Sequence, residues 1–318
     1  MLQRFIFLFS ILLVSNVQAQ TKTRTIAFYN VENLFDTLDH PVKNDNEFLP
    51  DGSYEWTSER YQAKLERINQ VIDSLRIPMI LGLCEIENKA VVQDLVNAGS
   101  LKGTHEIVHF ESLDQRGIDN AIVYDKTLLK LEDSGIIRFK MPEPSSPSRD
   151  IVWAKFSREK DTILAMVNHW PSRRGGQVES EPKRMVAALA ASEFVDSVLN
   201  KNKKINLVFM GDLNDYPDNR TTQMISESLK PMIVEESGKY GGSHNYRGEW
   251  HILDHMMVSK SFLKKKTKVK KKTAEIYTPE FLLTEYKGNI VPKRNYGGRK
   301  YLGGYSDHMP IVIEVKMK

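Results

Sequence analysis

Residues 207–215 read LVFMGDLND, a short apolar run that ends in two carboxylates and an amide. An apolar run that stops at glycine and polar residues indicates a buried strand leading into a loop. Similar runs cover residues 25–29, 79–84, 118–124, 151–156 and 163–167, and apolar residues at helical spacing cover 57–75 and 181–199. Strands follow one another without a helix between residues 105 and 167. This order favours a layered α/β fold with antiparallel or mixed sheets over a purely doubly wound one.

Side chains able to bind a metal or transfer a proton accompany nearly every apolar run. They are Asn30 and Glu32, Glu85 and Glu87, Asn168 and His169, Asp212, Asn214 and Asp215, Asp254 and His255, and Asp307 and His308. Loops at one end of a sheet assembly are where catalytic and binding sites are usually built. The repetition therefore predicts one functional site assembled from many strand ends.

The ligand types in these clusters indicate the chemistry. Cys84 is the only cysteine, and Asp, Glu and Asn predominate, so the set favours Mg²⁺ or Mn²⁺ over zinc. Such cations act on phosphoryl oxygens, and histidines far apart in sequence can supply proton transfer near neutral pH. These components together predict metal-assisted hydrolysis of a phosphoester.

The composition bounds the fold class. The chain has 318 residues, 45 basic and 41 acidic residues, and 41% hydrophobic residues, so it can bury a core and is neither disordered nor fibrous. One domain over residues 22–318 is the simplest organisation. Residues 255–318 carry 15 Lys and Arg against 5 Asp and Glu, with a lysine run at 264–272. Such a run is typical of a solvated edge strand, and the alternative is a contact for a polyanion.

The first residues predict a signal peptide. Arg4 precedes an apolar run at 5–14, and Val17-Gln18-Ala19 forms a cleavage pattern before Gln20. The run has ten residues, whereas a membrane-spanning helix needs roughly 20. With residues 1–19 removed and no cysteine near the cleavage point, we expect an exported protein, periplasmic or secreted, without a stable membrane anchor.

Seven motifs occur in an order that matches a known family. They are YNVENLF at 29–35, CEIEN at 84–88, RGIDNAIVY at 116–124, VNHWPSRRGG at 167–176, GDLNDYP at 211–217, LDHMMVS at 253–259 and GYSDHMP at 304–310. The chain thereby resembles the endonuclease/exonuclease/phosphatase superfamily, whose fold is like that of pancreatic deoxyribonuclease. The resemblance implies a four-layer sandwich of two mixed β-sheets flanked by helices.

The resemblance also assigns a metal site and the residues around the scissile phosphate. Asn30, Glu85 and Asp307 match the metal-site positions, and Glu85 would be the principal ligand. Asp212 and Asn214 match the pair that positions the attacking water and the phosphate.

The histidines match catalytic positions of the family. His308 matches the general base or phosphate-binding imidazolium, and Asp254 matches the acid that orients it. His169 matches the second catalytic histidine, and Glu111 is its expected carboxylate partner.

The predicted substrate contacts are Arg116 and Arg173 as phosphate clamps and Trp170 as a stacking surface. We expect a monomeric nuclease that cleaves DNA or RNA. The alternatives are a sphingomyelinase-like or inositol-phosphate phosphoesterase and, in a different class, a binding module without activity. The acidic loop at 36–55 is a candidate for Ca²⁺, but it lacks EF-hand spacing, so a solvated loop is expected there.

Overall fold

The computed structural model describes residues 22–264, 267–270 and 272–317, so the predicted signal peptide lies outside the described residues. Within this part of the chain the α-helices are α1 (Ser58–Ser74), α2 (Lys89–Ala98), α3 (Gln177–Lys201) and α4 (Arg220–Ser228). The strands are β1 (Lys22–Leu34), β2 (Ile80–Ile86), β3 (His105–His109), β4 (Asp119–Asp125), β5 (Lys130–Ile137), β6 (Ile151–Arg158), β7 (Asp161–His169), β8 (Asn206–Asp212), β9 (Lys230–Pro231), β10 (His244–Tyr246), β11 (Glu249–His251), β12 (Asp254–Val258), β13 (Lys268–Val269), β14 (Glu275–Ile276), β15 (Leu283–Tyr286), β16 (Asn289–Pro292), β17 (Tyr296–Gly297), β18 (Lys300–Tyr301) and β19 (Ile311–Met317). Single turns of 3₁₀ helix cover Asn46–Phe48, Glu235–Ser237, Lys260–Leu263 and Glu280–Leu282.

Two large mixed sheets form the body of the structure. The first has the strand order β13-β19-β1-β2-β4-β3, with β14 also paired to β19, and the second has the order β5-β6-β7-β8-β12-β9. In the first sheet β1 and β2 are parallel, and in the second β7 and β8 are parallel, while the other pairs are antiparallel. Both sheets are therefore mixed, as the sequence predicts.

The helices cover the outer faces of the sheets. Apolar residues of α1 and α2 belong to the same buried cluster as the strands of the first sheet, and those of α3 and α4 cluster with the outer face of the second. The predicted four-layer sandwich is confirmed. Helix α1 lies where its periodicity predicts, and α3 starts earlier than the predicted 181. Its first turns bury Ser180 and Arg184, which are polar residues that a hydrophobic pattern does not mark.

The lysine-rich segment contains a short edge strand, as expected. Strand β13 pairs with β19 and lies at the end of the first sheet, whereas Lys265, Lys266 and Lys271 lie outside the described residues. Among the residues that the structure describes, no helix is long and apolar enough to cross a membrane.

Gly82 of β2 marks a close approach of the two sheets. A Cβ atom there would lie 2.8 Å from Val167 Cγ2 of β7 and 3.1 Å from Met210 Cε of β8. It would also lie 3.1 Å from Phe28 Cδ2 of β1. These strands carry the predicted site residues at their ends, so the absence of a side chain at Gly82 lets the two halves of the site meet.

We expect Gly82→Val to destabilise the protein, because the added atoms overpack the layer between the sheets. The expected loss in the free energy of unfolding is about 1–3 kcal/mol, measured by chemical denaturation. Thr284→Val, on an exposed position of β15, is the control and should change this free energy by less than about 0.5 kcal/mol. Equal stability of Gly82→Val and the wild type would contradict the close approach.

Candidate active site

Strand register in the second sheet aligns three of the predicted site residues. His169 at the end of β7 pairs with Asp212 at the end of β8, and Asp212 pairs with Asp254 at the start of β12. Residues paired in register on neighbouring strands project from the same face of a sheet. The order His169, Asp212, Asp254 is thus a consequence of how the strands are paired.

The first sheet supplies Asn30 and Glu85. Glu85 lies at an irregularity in the pairing of β2 with β4, and its φ is +59°. A bulge of this kind redirects a side chain, and a left-handed conformation costs about 1–3 kcal/mol in a residue other than glycine. The Glu85 carboxylate consequently meets the Asn30 amide, whose Nδ2 donates to Glu85 Oε1 at 3.2 Å. The backbone N–H of Asn33 donates to Glu85 Oε2 at 3.1 Å.

Asn30 also joins the two sheets. Its Nδ2 donates to Asp212 Oδ2 at 3.1 Å, and its Oδ1 accepts from the Glu32 N–H at 3.0 Å. The amide is fully buried, so both of its ends have partners. Asn30 and Glu85 are brought together as predicted, but it is the amide nitrogen of Asn30 that faces the carboxylates. Its role as a metal ligand stays a prediction.

His308 is held by Asp254. The distance from His308 Nδ1 to Asp254 Oδ2 is 2.7 Å, and Ser243 Oγ donates to the same oxygen at 2.6 Å. The other ring nitrogen, Nε2, lies 3.7 Å from Asp212 Oδ2. Burial by itself would lower the pKa of His308, but the carboxylates of Asp254 and Asp212 outweigh it and raise the pKa well above its ordinary value. The imidazolium form is favoured.

His169 has the opposite electrostatic environment. Its Nε2 lies 3.7 Å from Asp212 Oδ2 and 3.8 Å from Glu85 Oε1. Burial lowers the pKa of His169 well below its ordinary value, and the nearby positive charges of Arg149 and Arg116 lower it further. The neutral imidazole is favoured.

The prediction that Glu111 is the partner of His169 is wrong. Glu111 Oε1 lies 4.0 Å from Nε2 of His109, a residue of the neighbouring strand β3, and His109 also contacts Asp119 at 2.9 Å. His169 Nδ1 is buried without a hydrogen-bond partner. Glu111 therefore belongs to a separate group of side chains that also includes His109 and Asp119.

Trp170 contributes its carbonyl group and not its ring. The carbonyl oxygen accepts from Asn214 Nδ2 at 3.1 Å and from Arg149 Nη2 at 2.9 Å. The side chain is 0% exposed and packs beside Phe209 under α3, so the prediction of a stacking surface for substrate is wrong. Asn214 has a φ of +50°, and its backbone N–H donates to Asp212 Oδ1 at 2.9 Å.

The predicted arginine clamps lie on exposed loops. The Arg116 side chain is 58% exposed and lies 3.4 Å from Asp114, and Arg173 packs over the ring of Tyr216 at 4.1 Å. Their contact with substrate stays a prediction. Arg149, which sequence reasoning missed, is buried and contacts both Asp114 and Trp170. No motif or spacing marks it, because a single arginine before a strand has no distinctive pattern.

Asn88 and Asp215 have structural roles. Asn88 caps α2, and its Oδ1 accepts from the N–H groups of Ala90 and Val91. Asp215 is a buried partner of Arg184, with an Nε to Oδ2 distance of 2.8 Å. This ion pair links the loop after β8 to α3 and thereby helps to position Asp212 and Asn214.

Two further residues of the site have no apolar run before them in the sequence. The ring of His244 lies 4.7 Å from that of His308, and burial together with the His308 charge lowers the pKa of His244 to about 4. Arg294 Nη2 donates to Asp307 Oδ2 at 2.7 Å. No motif marks His244 or Arg294 in the sequence.

The donor set suits a divalent cation of the Mg²⁺ type. Burial raises the pKa of Asp212 to about 7, the His308 charge opposes this shift, and the carboxylates of Asp254 and Glu85 add to it. The ligand atoms of Asp212, Asp254 and His308 lie within 4.8 Å of one another, and so do those of His244, Asp307 and His308. Carboxylate oxygens are the hard ligands that Mg²⁺ and Mn²⁺ prefer.

Comparison with known proteins assigns the family. The profile of the Endonuclease/Exonuclease/phosphatase family matches residues 25–317. The chain belongs to the endonuclease/exonuclease/phosphatase family. Members of this family are hydrolytic phosphoesterases, and the resemblance inferred from the seven motifs is confirmed. None of the curated proteins compared matches the chain.

Solved structures share the fold of this family member at low sequence identity. A mannosyl-6-phosphatase from Bacteroides thetaiotaomicron is 16% identical with a TM-score of 0.59, over 92% of this chain and 99% of that one. Truncated TDP2 from Caenorhabditis elegans is 17% identical with a TM-score of 0.58, over 92% and 97%. The human nocturnin catalytic domain is 16% identical with a TM-score of 0.56, over 94% and 98%. Identities this low show that the fold is shared, and they are not evidence for a shared substrate.

We expect Asp254→Asn to lower the pKa of His308, because an amide replaces the carboxylate that stabilises the imidazolium. The measurement is an NMR pH titration of the histidine ring protons in metal-free protein, with the His308 signal assigned by its loss in His308→Gln. Asp218→Asn, an exposed position in the loop after β8, is the control and should leave the titration unchanged. An unaltered pKa in Asp254→Asn would contradict the proposed charge state.

Proposed function

We propose that this chain is an exported, Mg²⁺- or Mn²⁺-dependent phosphodiesterase that cleaves nucleic acid. One observation carries the proposal: Asp212 Oδ2 lies 3.7 Å from Nε2 of His308 and 3.7 Å from Nε2 of His169. Two imidazoles thus converge on one buried carboxylate, and their different surroundings favour opposite protonation states. Pairs of titratable groups driven apart in this way are typical of acid and base roles.

The roles follow from these charge states. Charged His308 would bind a phosphoryl oxygen or donate a proton, and Asp254 would keep it oriented. Neutral His169 is suited to accept a proton and not to protonate the leaving group. Asp212 and Asn214 would align the attacking water beside them. A divalent ion held by Glu85, with Asp212 and Asp307, would offset the charge that develops on the phosphoryl oxygens.

A row of flat side chains beside the site supports nucleic acid as the substrate. The guanidinium of Arg173 lies 4.1 Å above the ring of Tyr216, and that ring lies 4.8 Å from the ring of His251. Tyr216 follows Asp215 directly in the loop after β8, and His251 pairs across the β10–β11 hairpin with His244. Flat rings stack on bases without sequence preference, and a guanidinium binds phosphate.

The substrate class can be tested with purified protein that begins at residue 20. Supercoiled plasmid, RNA, sphingomyelin vesicles and a soluble inositol polyphosphate are offered in parallel with Mg²⁺, Mn²⁺ or a chelator. We expect metal-dependent cleavage of nucleic acid, and a loss of at least about 10²-fold in rate for Asp212→Ala and His308→Ala.

Asp218→Asn is the matched control and should retain the wild-type rate, because its exposed side chain lies outside the site. Release from the lipid or inositol phosphate alone would keep the site but replace nucleic acid as the substrate. Full activity of Asp212→Ala, with circular dichroism showing intact folding, would refute the site itself.

Export rests on the sequence of residues 1–19 and is tested separately. We expect the full chain, expressed in a bacterium with a secretory pathway, to be recovered in the periplasm or medium with an N-terminus at or near Gln20. Terminal sequencing of the fractionated protein measures this. Recovery of the chain in the cytoplasm with its first 19 residues intact would contradict export.

A further inference from the structure

We propose that Arg294 is a substrate-binding residue whose guanidinium contacts a phosphoryl oxygen beside Asp307 and thereby sets the affinity of the site for phosphate esters. This inference rests on the proposed function and extends it, because none of the seven motifs includes Arg294.

The position of the guanidinium suits this role. Its Nη2 donates to Asp307 Oδ2 at 2.7 Å, and its Nε lies 3.6 Å from Glu32 Oε1. The side chain is 45% exposed, and Nη1 makes no hydrogen bond to any residue that the structure describes. Because a carboxylate oxygen of Asp307 lies within 4.8 Å of ring nitrogens of His308 and His244, the guanidinium that binds Asp307 lies beside the site. An arginine held on one side by carboxylates still offers N–H donors on the other, in a geometry that matches phosphate.

Glu32 positions Arg294 through the backbone of the next two residues. Its carboxylate accepts the backbone N–H of Asn295 at 2.6 Å and that of Tyr296 at 3.2 Å, the two residues that follow Arg294. Glu32 is 5% exposed and adopts a φ of +52°. The buried Glu32 carboxylate therefore fixes the backbone directly after Arg294.

The segment that begins at Arg294 is also fixed at its other end, at Gly304 and Tyr305. Lys64, fully buried in α1, donates from Nζ to the carbonyl oxygen of Tyr305 at 2.6 Å. A Cβ at Gly304 would lie 2.0 Å from the Lys293 oxygen and 2.2 Å from the Arg294 oxygen, so only glycine permits this approach. The backbone around Arg294 is thus held before any ligand binds. Such preorganisation strengthens binding by reducing the entropy lost on association.

A purely structural role would explain these contacts less well. An ion pair with one partner nearly half exposed contributes little to stability, whereas the surrounding backbone is anchored through buried groups. If Arg294 only neutralised Asp307, its replacement would leave phosphate binding unaltered. The two roles therefore differ in what they predict for ligand affinity.

The test compares the wild type with Arg294→Ala and Arg294→Lys at pH 8. Burial and the Asp307 charge raise the pKa of Glu32 to about 7, so this pH keeps Glu32 mainly ionised. Calorimetry measures inorganic phosphate binding to metal-free protein, and steady-state kinetics with metal measures KM and kcat on the best diester. We expect Arg294→Ala to weaken phosphate binding and raise KM by roughly 10- to 100-fold, with kcat changed by less than about threefold. Arg294→Lys should lie between the wild type and Arg294→Ala.

Two further variants sharpen the comparison. Arg299→Ala removes an arginine that is 72% exposed and lies between β17 and β18, and it should match the wild type in both assays. Glu32→Gln should raise KM in the wild-type background but not in Arg294→Ala, because Glu32 acts through Arg294.

Unchanged phosphate affinity and KM in Arg294→Ala would overturn the inference, as would an equal effect of Arg299→Ala or a wild type that binds no phosphate. A wild type that binds phosphate through Arg294 but hydrolyses no diester would refute the proposed function and leave this inference standing.

Discussion

The hydrogen bonds of the Asn30 amide are the interaction on which the site depends. From one nitrogen they reach Glu85 of the first sheet and Asp212 of the second, two carboxylates that would otherwise repel each other in a buried place. The amide cannot turn freely, because its oxygen accepts the Glu32 N–H. Asp212 Oδ2 lies 3.7 Å from Nε2 of each histidine, so a displacement of this carboxylate would change both distances. The close approach at Gly82, farther down the same strands, makes this contact between the sheets possible.

Burial of charge is the second constraint, and the structure meets it by pairing. Asp254 pairs with His308, and Asp215 pairs with Arg184. A buried charge without a partner costs several kcal/mol, so these pairs are required by the fold as much as by the chemistry. Burial raises the pKa of Asp212, and the neighbouring carboxylates of Asp254 and Glu85 add to this rise. Asp254 and Asp212 keep His308 charged, whereas burial and the positive charges of Arg149 and Arg116 keep His169 neutral.

Much of the fold could be predicted because burial leaves a periodic trace in the sequence. The strand runs and α1 follow directly from alternating or helical apolar spacing, and the Asn88 cap follows from residue type. The error at Trp170 has a simple cause: successive strand residues face opposite sides, so the residue after His169 points away from the site and toward α3. The error at Glu111 arose because a carboxylate after a strand was matched to a distant histidine when His109, two residues earlier, lay nearer. Arg149, His244 and Arg294 could not be predicted, because each lies in a segment with no periodic signal.

The sequence by itself determined the layered fold, the residue types at the strand ends and the class of chemistry, since these depend on local pattern and on the properties of single side chains. Only the tertiary structure decided which groups meet. Asn30 and Asp212 are 182 residues apart, and Asn295 and Glu32 are 263 apart, yet both pairs are hydrogen-bonded. Protonation states and ligand contacts depend on distances of a few ångströms between such groups. Those distances are set by strand register, by the approach of the two sheets and by the path of the segment that carries Arg294.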